Sequence, residues 1–190
     1  MRRCALALVS ALMLCVPGCY ESKVPLASSE KSTIEPALLG DWMQVVEPAK
    51  NTGDEAESPS LLRIMKFNDH EYCACWQEVN DHKAILYRAY SVAVGDTKIV
   101  NVQFIGKEDH NIVFVFFKYT VTDKGRLVLQ MMNGESPLLK DKKFKTSDEF
   151  MAFVKENLAD ETLFGKPVEF KKAEGLELHI TVKKDEAGAD

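Results

Sequence analysis

The sequence predicts a mainly β domain, in which an antiparallel meander closes into a small barrel of about 8–9 strands with one C-terminal amphipathic helix packed on it. Segments in which apolar and polar residues alternate recur from residue 38 to residue 172. Most connections between them are short, and short connections force neighbouring strands to pair antiparallel. One segment, 146–158, instead has the apolar period of a helix.

The strands follow one another in chain order. A first strand begins near Trp42, and further alternating segments occupy residues 61–67, 72–79, 84–94, 98–105, 112–121 and 126–132. Turn-forming pairs such as Asn68-Asp69 and Gly95-Asp96 separate them. Two more segments, 168–172 and 176–182, follow the helix. The second of these either closes the barrel or extends from it.

The segment 112–121 is apolar on both faces, so a second layer has to cover one of them. The following segment, 146–158, predicts that layer. Thr146 and Glu149 have capping-box spacing at its start. An apolar stripe then follows at helical spacing: Phe150, Phe153, Val154 and Leu158.

Closure of the sheet is predicted from the number of strands. Seven or more sequential antiparallel strands leave long unpaired edges unless the sheet closes on itself. The alternative is an open, curved sheet that clasps the helix.

The N-terminus has the pattern of a secretory signal, because Met1-Arg2-Arg3 precedes about thirteen mostly apolar residues. The run ends in Val16-Pro17-Gly18-Cys19, which resembles the lipobox of bacterial lipoproteins. The resemblance implies that residues 1–18 are a signal peptide that is removed and that Cys19 carries a diacylglyceryl group and usually a further acyl chain such as palmitate. Tyr20, in place of aspartate, implies the outer membrane facing the periplasm.

The remaining organisation follows from composition and charge. Residues 19–36 are polar and serine-rich, which predicts a flexible tether; residues 37–183 form the β domain, and residues 184–190 a disordered tail. Removing Arg2 and Arg3 leaves 22 basic against 29 acidic residues, a net charge of −7. This charge argues against binding to nucleic acid or to an anionic lipid surface.

Gly40-Asp41-Trp42, at the start of the first strand, resembles the G-x-W signature of lipocalins. The resemblance implies an eight-stranded barrel whose tryptophan plugs one end and which can hold one small apolar ligand. The family's T-D-Y motif is absent, since Lys124-Gly125 follows Thr122-Asp123. A counterpart of the family's arginine near the last strand is also absent.

No catalytic motif is present, so the chain is not predicted to be an enzyme, and no cofactor is predicted. The cluster of His70, Cys73, Cys75 and His82 invites a metal site. However, the two histidines fall at opposite ends of one strand, too far apart for one ion, so no metal is predicted. Cys73 and Cys75 are expected to be reduced, buried thiols, with a disulfide between them as the alternative in an oxidising periplasm.

An aromatic set, comprising Trp42, Tyr72, Trp76, Phe104 and Phe117, is the candidate ligand-binding lining. If these side chains line a cavity, the protein binds a small apolar ligand, with the acidic segment 48–59 as a lid. If they fill the interior, it is a structural module that contacts an envelope protein. Barrels of about eight strands have room for either arrangement.

Overall fold

The computed structural model describes residues 18–46, 58–79, 84–105 and 112–175. In these ranges, eight antiparallel strands form a closed barrel and pair in chain order. One α-helix, α1 (Ser147–Asn157), lies between the last two strands. The strands are β1 (Gly40–Gln44), β2 (Ser60–Lys66), β3 (Tyr72–Glu78), β4 (Ala84–Val94), β5 (Thr97–Phe104), β6 (Phe114–Val121), β7 (Arg126–Met131) and β8 (Val168–Lys172).

The barrel closes through pairing of β8 with β1. Trp42 lies opposite Lys172, and Gln44 lies opposite Phe170. The predicted closed barrel with one C-terminal helix is therefore confirmed, and the open-sheet alternative is wrong. The segment 168–172 performs the closure, while the predicted strand 176–182 lies outside the described residues.

Alternation along the strands separates two apolar cores. On β6, Tyr119 points into the barrel and Phe116 points outward. The inner core fills part of the barrel, and its buried members include Trp42, Leu62, Tyr72, Leu127 and Phe170. The outer core lies between the barrel wall, α1 and the N-terminal residues, and its buried members include Tyr20, Leu26, Ile99, Phe150 and Val154.

Helix α1 is the predicted second layer over β6. The Thr146 hydroxyl accepts a hydrogen bond from the Glu149 N–H at 3.2 Å, and the Glu149 carboxylate accepts one from the Lys145 N–H at 3.0 Å. Phe150 packs edge-on against Phe116, with ring centroids 4.9 Å apart. The cap fixes where the helix begins, and this aromatic contact fixes the face that it buries.

Residues 19–36 differ from the tether that their composition predicts, because they pack along the outside of the barrel. The Tyr20 side chain is only 6% exposed and belongs to the outer core, as does Leu26. The Tyr20 N–H donates to the Met132 carbonyl at 3.1 Å, and the Ser22 N–H to the Phe114 carbonyl at 3.0 Å. Isolated apolar residues at irregular spacing carry no period, so the sequence pattern does not reveal this packing.

The rest of this N-terminal segment is held by polar contacts along the barrel wall. The Leu26 N–H donates to Asn101 Oδ1 at 2.9 Å, and the Tyr90 hydroxyl donates to the Ala27 carbonyl at 2.9 Å. Two short 3₁₀ helices, Ser29–Lys31 and Pro36–Leu38, then turn the chain beneath one end of the barrel, where β1 begins.

Glu71 ties this segment to the β2–β3 turn. Its carboxylate is buried and lies 2.7 Å from the Arg88 guanidinium. Burial alone would raise the pKa of Glu71, but hydrogen bonds from Arg88, Ser29 and Asn68 outweigh burial and hold the pKa below its ordinary value. A charged Glu71 therefore stabilises the docked segment.

Candidate functional site

The two ends of the barrel differ in how they are filled. At one end, the closed end, β1, β3, β5 and β7 begin, and the N-terminal segment crosses beneath them. At the other, the open end, the same four strands finish, at Gln44, Glu78, Phe104 and Met131. The predicted lid segment 48–59 connects strands at the open end, and its residues up to 57 lie outside the described residues.

Trp42 plugs the closed end. Its side chain is 0% exposed, and its indole N–H donates to the Leu38 carbonyl at 2.9 Å. The Lys172 ammonium lies 4.0 Å from the centre of the indole ring, a cation–π contact. A cation from the last strand thus packs on the tryptophan of the first strand.

Gly40 makes this arrangement possible. Its φ of +114° is one that L side chains rarely adopt, and an added Cβ would lie 3.1 Å from Lys172 Nζ. Lys172 also donates a hydrogen bond to the Leu39 carbonyl. Burial lowers the pKa of Lys172 below its ordinary value, while Asp41 opposes that shift.

A polar network seals the same end. Glu35 accepts a hydrogen bond from the Tyr119 hydroxyl at 2.9 Å and pairs with Lys98 at 2.8 Å. The Glu35 N–H donates to the Tyr72 hydroxyl at 2.7 Å, and Ser91 Oγ lies 2.6 Å from the Tyr119 hydroxyl. Burial raises the pKa values of Tyr119 and Tyr72 above the ordinary value of a tyrosine. These groups hold the N-terminal segment in place rather than face a substrate.

Inward-facing aromatic side chains at and towards the open end are only partly covered. Phe104, the last residue of β5, is 42% exposed and packs edge-on against Tyr87, with centroids 6.0 Å apart. Trp76 is half-buried and packs edge-on against the buried Phe170 at 5.7 Å. Phe117, in the middle of β6, is half-buried and shares the inward parity of Tyr119. Together these residues are the aromatic lining of the barrel that stays partly open to solvent.

The structure therefore divides the predicted aromatic set. Trp42 and Tyr72 are part of the closed end and are buried, so they are not available to a ligand. Trp76, Phe104 and Phe117 belong to the partly exposed lining. Sequence reasoning missed Tyr87, although its position in the alternation of β4 marks it as inward-facing.

Cys19 lies at the rim of the open end. Its backbone forms an isolated antiparallel β-bridge with Asn133, two residues beyond the end of β7. Because Tyr20 faces the outer core, its neighbour Cys19 points the other way, towards the barrel mouth. Burial raises the pKa of Tyr87, and the Cys19 sulfur is close enough to add to that rise.

The His/Cys cluster does not assemble into one site. Cys73 and Cys75 share the outer face of β3 and are not joined in a disulfide; Cys75 is buried, but Cys73 is only half-buried, so the expected burial is wrong for that thiol. His70 Nδ1 lies 2.7 Å from the Ser32 carbonyl, and His82 lies outside the described residues. Within the described ranges, no three His, Cys, Asp or Glu side chains are placed to hold a metal ion.

A surface groove of about 510 Å³ runs between the N-terminal segment and the start of α1. Its lining includes Leu26, Lys31, Val92, Asp148 and Met151. These residues belong to the outer layer, so the groove does not lead to the aromatic lining of the barrel.

Comparison with known proteins finds no counterpart: no family model, no curated protein and no solved structure matches the chain. Among the described residues, no helix has the length and apolar character needed to cross a lipid bilayer.

Proposed function

We propose that the protein is a lipid-anchored lipoprotein of the bacterial cell envelope that binds a small apolar ligand in the open end of its barrel. The observation that carries the proposal is the partial exposure of inward-facing aromatic side chains, because apolar groups of a packed barrel are ordinarily covered. The lipobox-like pattern that ends in Cys19 supports the anchor, and the same resemblance, with Tyr20 in place of aspartate, supports placement in the outer membrane facing the periplasm.

The aromatic lining suits an apolar ligand with few polar groups. Phe104, Trp76 and Phe117 offer ring surfaces, and the Tyr87 hydroxyl offers a hydrogen-bonding group at the same end. A bound aliphatic chain would cover ring surface that now faces water, which is favourable at roughly 25 cal/mol per Å² of apolar area.

Ligand binding is tested with an environment-sensitive apolar dye and the mature chain, residues 19–190, carrying Cys19→Ser. We expect saturable binding, with Phe104→Asp lowering the affinity about tenfold because one apolar contact is lost and a charge is introduced. Leu86→Asp is the matched control: Leu86 is similarly exposed, at 36% against 42%, but lies on the outer face of β4. Its affinity for the dye should equal that of the parent.

An equal loss of dye affinity in Phe104→Asp and Leu86→Asp would mean that the dye binds the surface non-specifically. No binding to the parent would overturn the ligand proposal. That second result would favour the other candidate, a structural module that contacts an envelope protein, which the complete packing of Trp42, Leu127 and Phe170 also supports.

The anchor is tested by labelling cells with radioactive palmitate. We expect Cys19 to incorporate the label and the protein to sediment with membranes, whereas Cys19→Ser should abolish the label and release the protein from the membrane fraction. Two or more acyl chains are needed for stable attachment, so removal of the only acylated residue is decisive. An unlabelled parent protein would overturn the anchor without affecting the dye experiment.

A further inference from the structure

No flexible segment separates Cys19, the proposed lipid attachment site, from the barrel, and this restricts how the barrel can approach a membrane. A flexible tether of residues 19–36 would let the body sit roughly 20–25 Å from its anchor on average. Instead, the residue directly after Cys19 is buried in the outer core, and its hydroxyl donates to the Lys142 carbonyl at 3.0 Å. An acyl group on Cys19 is therefore attached directly at the surface of the folded domain.

The chain around Cys19 is also held from the other side. A Cβ added at Gly134 would lie 2.7 Å from the Cys19 carbonyl oxygen. Such a close backbone approach leaves room only for glycine. The attachment point is thus placed at the open end, beside the end of β7.

Exposed apolar side chains concentrate at the same end. Nine large apolar residues of the described ranges are exposed, and only two of these, Met65 and Phe67, lie at the closed end. Six occupy the terminal residue of a strand at the open end, or lie one or two residues beyond it, and are here called the apolar rim: Val45, Val79, Phe104, Ile105, Ile112 and Val168. Exposed apolar side chains that cluster at one end of a domain mark an interaction surface.

We propose that the apolar rim is a membrane-docking surface, which sits on the lipid bilayer and holds the mouth of the barrel against it. The inference rests on the proposed acylation of Cys19. Because that residue lies on the rim and has no tether, its acyl chains can enter a bilayer only when the rim approaches the same bilayer. The net charge of −7 after signal removal, and the exposed Glu78 and Glu135 near the rim, favour lipids with zwitterionic rather than anionic headgroups.

The test uses the full-length acylated protein in phosphatidylcholine vesicles that contain a brominated phospholipid, which quenches tryptophan on contact. Two variants add one tryptophan each: Ile105→Trp on the rim and Phe67→Trp at the closed end. The two sites are matched as exposed apolar positions, 45% and 62% exposed. The signal of Trp42 and Trp76 in the parent is subtracted.

We expect the tryptophan at position 105 to lose most of its added fluorescence and the one at position 67 to lose none. Val79→Trp is a second variant of the apolar rim and should behave like Ile105→Trp. It controls for a local folding defect caused by the Ile105→Trp substitution. Quenching at position 67 alone, equal quenching at both ends, or no quenching at either would overturn docking through the rim. Palmitate incorporation measured on the same samples separates these results from failure of the anchor itself.

Discussion

Replacing Trp42 by alanine is expected to lower the free energy of unfolding by about 3–5 kcal/mol, the usual cost of truncating a fully buried aromatic side chain. The indole is 0% exposed, and its loss leaves the Leu38 carbonyl without its 2.9 Å hydrogen bond and Lys172 without its cation–π partner. Because the first strand, the last strand and the N-terminal segment all meet at Trp42, the closed end should come apart. Chemical denaturation followed by circular dichroism measures the change.

Trp76→Ala is the matched control for this prediction, because Trp76 is the only other tryptophan and also points into the barrel. It is half-buried and lies towards the open end, so its truncation should cost clearly less. Trp42→Phe retains the ring and should fall between the parent and Trp42→Ala. If both alanine variants lost the same stability, the assignment of one packed and one open end would be wrong.

Replacing Tyr20 by alanine is also expected to destabilise the fold by about 3–5 kcal/mol. The Tyr20 ring lies 5.7 Å from Phe150, 6.3 Å from Phe144 and 6.4 Å from Phe116, measured between centroids. Its removal opens a cavity in the outer core directly after the attachment residue. For a chain of this size, thermal unfolding should shift by roughly 2–4 °C for each kcal/mol lost.

Glu21→Ala provides the neighbouring control, since Glu21 is exposed and its truncation should leave the unfolding temperature unchanged. Tyr20→Phe removes only the hydroxyl bonded to Lys142 and should cost about 1 kcal/mol. A Tyr20→Ala protein as stable as the parent would mean that residues 19–36 act as the free tether that their composition suggests. It would also remove the premise for docking through the apolar rim.

The strand pattern was accessible from sequence because it depends on local rules. Alternation fixes which face of a strand is buried, and short turns fix antiparallel pairing, so β4, β7 and β8 occur almost where the pattern predicts them. The helix was accessible for the same reason, since the Thr146 cap and the stripe that includes Phe150 and Val154 lie within one short segment.

The candidate site was only partly accessible. The sequence predicts Trp42, Tyr72, Trp76, Phe104 and Phe117 as one lining, because all five are aromatic residues of the strand segments. The sequence pattern could not distinguish the two buried residues, Trp42 and Tyr72, from the three that are partly exposed. Exposure depends on how far each strand reaches along the barrel and on what crosses the end, and both depend on residues distant in the chain.

The sequence by itself determined an alternating, antiparallel chain with one capped helix, because period, turns and caps act between residues a few positions apart. Only the tertiary structure decided that β8 closes on β1, that Tyr20 and Leu26 dock on the wall, and that Cys19 therefore lies at the open end. The physical reason is that these features arise from contacts between segments separated by up to 130 or so residues. Such contacts are selected by the fit of complete surfaces and leave no periodic trace in the local sequence.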